Sequence, residues 1–355
     1  MEKIWLTIIG HKRNPLYWPL LLVLWLLSLC YRCGLYWSNL GRWKTVKVGA
    51  PVISVGNITI GGSGKTPLVI EIARYFGMKN KKVGIVSLGY GRRSNSKIIG
   101  LGAELSQKDS AEIGDEVKMM AECLPDAYFA ISASKSLSAL AVERKYQPDI
   151  ILVDDGYQHR CLHRDYNILL IDSSCDLRRQ SLFPLGRLRE PLGAIKRTDR
   201  IIVTNSSSSS RADDFIIWLK ERYADKKVIE VEFYNDEIIM KPERISIKDF
   251  AGRRIYFFAG VGNFISLRNN LEKYFSKIVA WRQFEDHCSY CPHHISQIKN
   301  DIRQHQPEYI VTTHKDYVKI RDLDFGRPIC YLDLKLRFDS GEKSFYEDLE
   351  IIVNR

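Results

Sequence analysis

The stretch best equipped for chemistry is residues 59–66, Thr-Ile-Gly-Gly-Ser-Gly-Lys-Thr. Its glycines leave the backbone bare, so several N–H groups can approach one oligophosphate. Lys65 adds a compact positive charge and Thr66 offers a hydroxyl to Mg²⁺. The apolar run 52–55 before it reads as a buried strand. Lys65, Thr66 and Pro67 read as the opening of a helix, because a first-turn proline lacks only an N–H that had no partner there. Strand, loop and positive helix end form a phosphate cradle, with Thr59, Ile60, Gly61, Gly62, Ser63, Gly64, Lys65 and Thr66 as the nucleotide-binding candidates. Thr59 stands where the strict form of this motif has glycine.

Further groups downstream could complete such a site. Residues 150–153 are apolar and strand-like, and end in Asp154-Asp155-Gly156. After a phosphate loop, an acid at a strand end is the usual organiser of Mg²⁺, so Thr66 with Asp154 or Asp155 is the candidate metal set. Gln158 and His159 follow closely enough to face the same cleft. Residues 88–93 place Arg92 and Arg93 beside Gly89 and Gly91, and guanidinium forks match phosphate. Asp115, in Gly114-Asp115-Glu116, precedes a helix-like stretch at 117–123, where an acid can cap a helix or do chemistry. Asp286 beside His287 can orient or charge an imidazole. Cys288, Cys291, His293 and His294 invite a zinc reading, but structural zinc sites usually draw on two separated ligand pairs. The other Cys-x-x-Cys, Cys30 and Cys33, lies at the end of an apolar segment and is a poor partner.

The elements that must position these groups alternate. Short β-rich runs at 52–55, 82–87, 150–153, 168–172 and 200–204 are separated by helical stretches. That order predicts an α/β fold, a P-loop NTPase-like, mostly parallel sheet with helices on both faces. Residues 206–210, five serines, predict a surface loop. A smaller α/β lobe is expected from 235, with strands at 255–258, 277–281, 309–313 and 329–332. The expected division is therefore 1–45, 46–234 and 235–355.

Residues 15–31 contain no charge, and Tyr17, Trp18, Tyr31, Tyr36 and Trp37 suit a membrane interface. Basic residues flank the segment on both sides, leaving its orientation open. No clean cleavage site follows, which favours a retained anchor over a removed signal peptide. The chain of 355 residues carries a net charge of +11, which points to an anionic partner rather than to a fold. Eight cysteines at this length are too sparse for a disulfide scaffold. No nucleic-acid motif or basic helix accompanies the charge, so nucleic acid is not an expected partner.

The pieces in this order resemble the lipid A 4′-kinase family (tetraacyldisaccharide 4′-kinase). The resemblance rests on the apolar N-terminal helix, Val55-Gly56-Asn57 before Gly-Gly-Ser-Gly-Lys-Thr-Pro, Gly89-Tyr90-Gly91-Arg92 and Gly114-Asp115-Glu116. It continues through residues 154–159 (Asp-Asp-Gly-Tyr-Gln-His), 188–191 (Leu-Arg-Glu-Pro), 258–261, Asp286-His287 and 312–316 (Thr-Thr-His-Lys-Asp). Val117, Arg187 and His314 depart from the family's usual residues. The resemblance implies a membrane-associated kinase that uses ATP and Mg²⁺ to phosphorylate the 4′-hydroxyl of a tetraacylated glucosamine disaccharide 1-phosphate, forming the bis-phosphorylated lipid A precursor. It implies Asp115 as base, paired with His287, Lys65 on the nucleotide, and Arg92, Glu116, Gln158 and His159 toward the substrate. It places the enzyme on the cytoplasmic face of the bacterial inner membrane, held to the lipid surface by the N-terminal segment. The alternative is a membrane-associated P-loop ATPase without a small-molecule acceptor, which would not need Asp286-His287.

Overall fold

Among the described residues, apolar runs bounded by turn formers become thirteen strands in one continuous sheet. They are β1 (Val52–Asn57), β2 (Val83–Ser87), β3 (Ile98–Leu101), β4 (Tyr128–Ile131), β5 (Ile150–Asp154), β6 (Tyr166–Asp172), β7 (Arg200–Thr204), β8 (Lys227–Met240), β9 (Glu243–Ser246), β10 (Ile255–Ala259), β11 (Ile278–Gln283), β12 (Tyr309–Thr313) and β13 (Ile329–Phe338). The computed structural model describes residues 5, 8–9, 14–40, 45–204, 210–262 and 264–355.

The first lobe has the order β8-β7-β6-β1-β5-β2-β4-β3, parallel except for the edge strand β3. Its strands read as continuous apolar runs because both faces are covered. Ile150 and Leu152 of β5 pack into one layer with the helices Lys65–Met78 and Asp115–Cys123, through Leu68, Ile72, Val117 and Met120. Ile151 and Val153 point the other way, against Ala139 and Val142 of the helix Lys135–Tyr146. The second lobe has the order β11-β10-β12-β13, all parallel, with its own core on each face around Phe257 and Phe258.

β8 joins the lobes. Its first residues, Lys227 to Val231, pair in parallel with β7. From Val231 to Ile239 it pairs antiparallel with β13. The first-lobe strands therefore point along β8 toward the second lobe, and β10, β12 and β13 point back. The carboxyl ends of both strand sets face each other, and those ends are where open α/β sheets bind ligands.

The chain departs from expectation in several places. The division expected at 234/235 falls inside β8, and the last helix, Glu342–Val353, returns to the first lobe, where Phe345, Leu349 and Ile352 join its core. Strands β3, β4 and β9 were not expected; each is only four residues long, too short for a period to show. Ser210 begins the helix Ser210–Arg222, whose buried Phe215 and Leu219 fix it to the sheet, so the serine run is not wholly a loop. The remainder of that expected loop, 206–209, lies outside the described residues.

The apolar segment is a 3₁₀ turn, Pro15–Tyr17, followed by a helix, Trp18–Leu40. The helix runs on through Arg32, and 23 residues span about 35 Å. By length and composition the stretch 15–38 could cross a membrane, and only 6% of its apolar 18-residue window is buried inside the protein. Leu20, Leu22, Trp25, Leu26 and Leu29 are exposed. A core helix of a soluble lobe would bury such residues. The basic residues expected to flank it at 3, 12, 13, 42 and 44 lie outside the described residues.

Candidate active site

β1 delivers the chain to the loop at residues 58–64, and the helix Lys65–Met78 begins at once. Gly64 caps that helix with φ +82°, a left-handed conformation that glycine adopts without strain. Thr66 and Ser63 are buried, and Ser63 Oγ has no hydrogen-bond partner among the described residues. A second segment braces the loop. Thr59 pairs with Leu188, Ile60 N donates to Arg187 O at 2.8 Å, and Arg189 N donates to Ile58 O at 2.7 Å. The Arg187 guanidinium also donates to Ile60 O, from Nη2 at 3.0 Å. The same segment touches the N-terminal helix, where Tyr31 Oη donates to Arg189 O at 2.9 Å and Ser28 Oγ to Leu182 O at 3.1 Å. The candidate membrane segment and the phosphate loop thus share one support.

Beside the loop, β5 ends in Asp154 and Asp155. Lys65 Nζ lies 3.7 Å from Asp155 Oδ1, and Arg189 Nη1 donates to both Asp155 oxygens at 3.1 Å. Burial works to raise the Asp155 pKa, but Lys65, Arg189 and Lys135 outweigh it and hold the carboxyl at about 2. Asp154 is pushed the other way, by its deeper burial and by the nearby Glu116 charge. Its Oδ1 is buried without a partner. Beneath both acids sits Lys135, a residue the sequence reading passed over, at 2% exposure. Its Nζ donates to the backbone carbonyls of Asp154 (2.6 Å) and Asp155 (2.5 Å). Nothing in the sequence marked it, because the strand before it, β4, was itself not expected and a lone lysine is ordinarily solvated.

Across the cleft, Asp115 is the first residue of its helix and is buried. His287 Nδ1 lies 3.1 Å from Asp115 Oδ2, joining the two lobes. Lys319 Nζ is 2.8 Å from the same oxygen. Burial would raise the Asp115 pKa, yet the His287 hydrogen bond and the Lys319 and Lys315 charges hold it well below the usual carboxylate range. Lys315 Nζ reaches Asp286 Oδ1 at 2.8 Å and His287 Nε2 at 3.1 Å. The exposed Tyr90 ring packs edge-on to His287, with centroids 4.8 Å apart. Both lysines come from the helix His314–Ile320, which packs on the helix carrying Asp115. Lys319 was invisible as a site residue because its partner lies two hundred positions away in sequence.

The remaining candidates divide. Glu116 sits between the two clusters, its charge acting on Asp154 and on Lys315. His159 is held neutral, its pKa lowered to about 4 by burial and then by the Lys135 charge. Gln158 Nε2 is engaged with Asn57 O at 2.8 Å and Glu190 Oε1 at 3.2 Å, a bracing role, while its Oε1 is buried and unpartnered. Arg92 Nη1 donates to Ser96 O, and its buried Nη2 has no partner. In the zinc-like stretch, Cys288 and Cys291 both contact His294 Nδ1, at 3.3 and 3.5 Å, and His293 contacts Gln297. Among the described residues, no three His, Cys, Asp or Glu side chains gather as a metal ion requires.

A strand-loop-helix cradle, strand-end acids and a first-lobe carboxylate met by an imidazole from the second lobe define a two-lobed α/β protein of the P-loop type. The chain matches the family model described as tetraacyldisaccharide-1-P 4′-kinase over residues 16–354 and belongs to that family. It is 32% identical over 304 residues to a tetraacyldisaccharide 4′-kinase of Geobacter metallireducens, covering 85% of this chain and 86% of the relative. The tetraacyldisaccharide 4′-kinase of Aquifex aeolicus is also 32% identical, over 85% of this chain and 89% of its own. A crystal structure of LpxK from Aquifex aeolicus in complex with ATP superposes with a TM-score of 0.74 at 29% identity, covering 94% of this chain and 99% of the other.

Proposed function

We propose that this chain transfers the γ-phosphoryl group of ATP to the 4′-hydroxyl of a tetraacylated glucosamine disaccharide 1-phosphate at the cytoplasmic face of the bacterial inner membrane. The observation that carries the reading is the Asp115–His287 contact between opposed carboxyl edges of the sheet. An ATPase without an acceptor has no use for a second-lobe imidazole on a buried carboxylate.

The loop amides, Lys65 and Thr66 would hold the triphosphate. Mg²⁺ would be held by Thr66 with Asp154 or Asp155, and the unpartnered buried oxygen of Asp154 fits a carboxylate whose ligand comes from outside the protein. A bound ion would supply neutralisation of the phosphate charge that builds up during transfer. Phosphoryl transfer is mostly positioning and charge neutralisation, so the residues' work is to align the hydroxyl and accept its proton. Asp115 is the proton acceptor, held ionised by the groups around it. Arg92, Glu116 and His159 face the sugar and its phosphates, and the exposed apolar helix keeps the enzyme at the bilayer where an acylated substrate resides.

The test is mass analysis of lipid after incubating the enzyme with labelled ATP and the tetraacylated disaccharide monophosphate. One added phosphate is expected. Asp115→Ala should lower turnover at least ~10²-fold with ATP still bound, within the usual range for a general base. ATP hydrolysis indifferent to the lipid would defeat the proposal.

A further inference from the structure

We propose that Lys315 fixes His287 as the neutral Nδ1–H tautomer, so that His287 serves as a permanent hydrogen-bond donor that aims Asp115 and does not itself take up the substrate's proton. The proposal rests on the kinase reading for its catalytic meaning, but its structural content stands alone. Lys315 Nζ lies 3.1 Å from His287 Nε2. An ammonium has three donors and no lone pair, so Nε2 must be the accepting nitrogen. Lys315 is kept protonated: burial works against its charge, but Asp286, Asp115 and Glu116 outweigh it. A neutral imidazole carries one proton, and with Nε2 bare it resides on Nδ1, 3.1 Å from Asp115 Oδ2. Asp115 is ionised and can only accept there.

Every group packed on the ring agrees. Asp286 Oδ1 is 4.0 Å from Nε2 but is taken up by Lys315 at 2.8 Å, so it does not call for a second ring proton. Lys319 Nζ, 2.8 Å from Asp115 Oδ2, adds positive charge that disfavours an imidazolium. The Glu116 charge acts on Lys315, helping to keep it protonated, and Tyr90 presents only its ring. An imidazolium would aim Nε2–H at the Lys315 ammonium.

The consequence is a division of labour. As the sugar oxygen bonds to the γ-phosphorus, the bond from that phosphorus to the β,γ-bridging oxygen breaks and its electron pair leaves with ADP. The hydroxyl proton passes to the Asp115 carboxylate, whose Oδ2 is held by His287 Nδ1 and Lys319 and whose Oδ1 accepts from Glu116 N at 3.1 Å and lies 3.3 Å from His287 Nδ1. His287 keeps its single proton throughout. Lys315 is therefore a positioning residue that acts through the imidazole.

The full-length protein, labelled with ¹⁵N-histidine in detergent micelles, tests this directly, with His287→Gln assigning the ring. The expected spectrum shows Nδ1 protonated and Nε2 bare. Lys315→Met removes the donor at Nε2 and should release the ring, so that the Nε2–H tautomer becomes populated. The same variant should lower kcat by about 10- to 100-fold and leave the KM for ATP unchanged. Lys315→Arg, which keeps a donor, should restore the tautomer and most of the rate; a merely structural lysine would not yield this pattern. An Nε2–H or doubly protonated ring in the wild type overturns the proposal, as does a Lys315→Met enzyme with the wild-type tautomer and kcat. A wild-type enzyme that fails to phosphorylate the lipid would instead sink the kinase reading, and the ring spectrum would still decide the tautomer.

Discussion

A single methyl group placed on Gly64 tests how tightly the phosphate loop is coupled to the strand between the lobes. Gly64 has φ +82°, and a Cβ built there would overlap Cε2 and Cζ of Phe233. Phe233 belongs to β8 where that strand pairs with β13, opposite Leu336. Gly64→Ala therefore carries two separable costs. Holding an L-residue in the left-handed region costs about 1–2 kcal/mol. Forcing the ring aside is an overpacking cost of about 1–3 kcal/mol. If the folded loop must keep its shape to bind ATP, the sum of about 2–5 kcal/mol appears as an affinity loss between about thirtyfold and several-thousandfold, at ~1.4 kcal/mol per decade. Calorimetric titration with ATP reads this on the solubilised protein. Phe233→Ala in the same background should return only the steric share, about one to two decades, because the backbone strain remains. Wild-type affinity in Gly64→Ala would refute the reasoning, and a double variant no better than the single would refute the assignment of the clash to Phe233.

Three further outcomes are expected. Glu122, buried between Lys241 (2.6 Å), His314 (3.4 Å) and Arg321, latches the Asp115 helix to the second lobe. Burial opposes its ionisation, but the His314 and Lys241 hydrogen bonds win and bring its pKa to about 2, below the ordinary 4.5. A depressed acid stabilises the fold above its unfolded pKa and loses that contribution as pH falls through the folded one, so Glu122 contributes about 3 kcal/mol near neutrality that disappears between about pH 4.5 and 2. Glu122→Gln should lower the neutral-pH denaturation midpoint and flatten its acid dependence over that window; an unchanged pH profile would count against the latch. Lys135→Met leaves the Asp154 and Asp155 carbonyls without their donor and should destabilise the protein by about 2–4 kcal/mol, read by urea unfolding, with unaltered stability as the contrary result. Removing residues 1–45 should release the protein from membranes on carbonate extraction, and an undiminished membrane fraction would remove the anchoring role.

Local pattern carried much of this protein. The bare loop before Lys65-Thr66, the acids closing β5 and the uncharged N-terminal run are each contained within a few consecutive residues, and the physics that shapes them is equally local: backbone freedom at glycine, apolar periodicity and the exclusion of charge from a membrane-length helix. The family resemblance then linked Asp115 to His287. What no stretch of sequence could supply is the direction of β8, which pairs parallel on one half and antiparallel on the other and so turns two sets of strand ends toward one cleft. Lys135 under the acids, Lys315 and Lys319 around the acid–imidazole pair, and the last helix returning to the first lobe follow from that arrangement. Charges tens to hundreds of residues apart in the chain influence each other only after the fold has set their distances and removed the intervening water, so their pairing belongs to the tertiary structure.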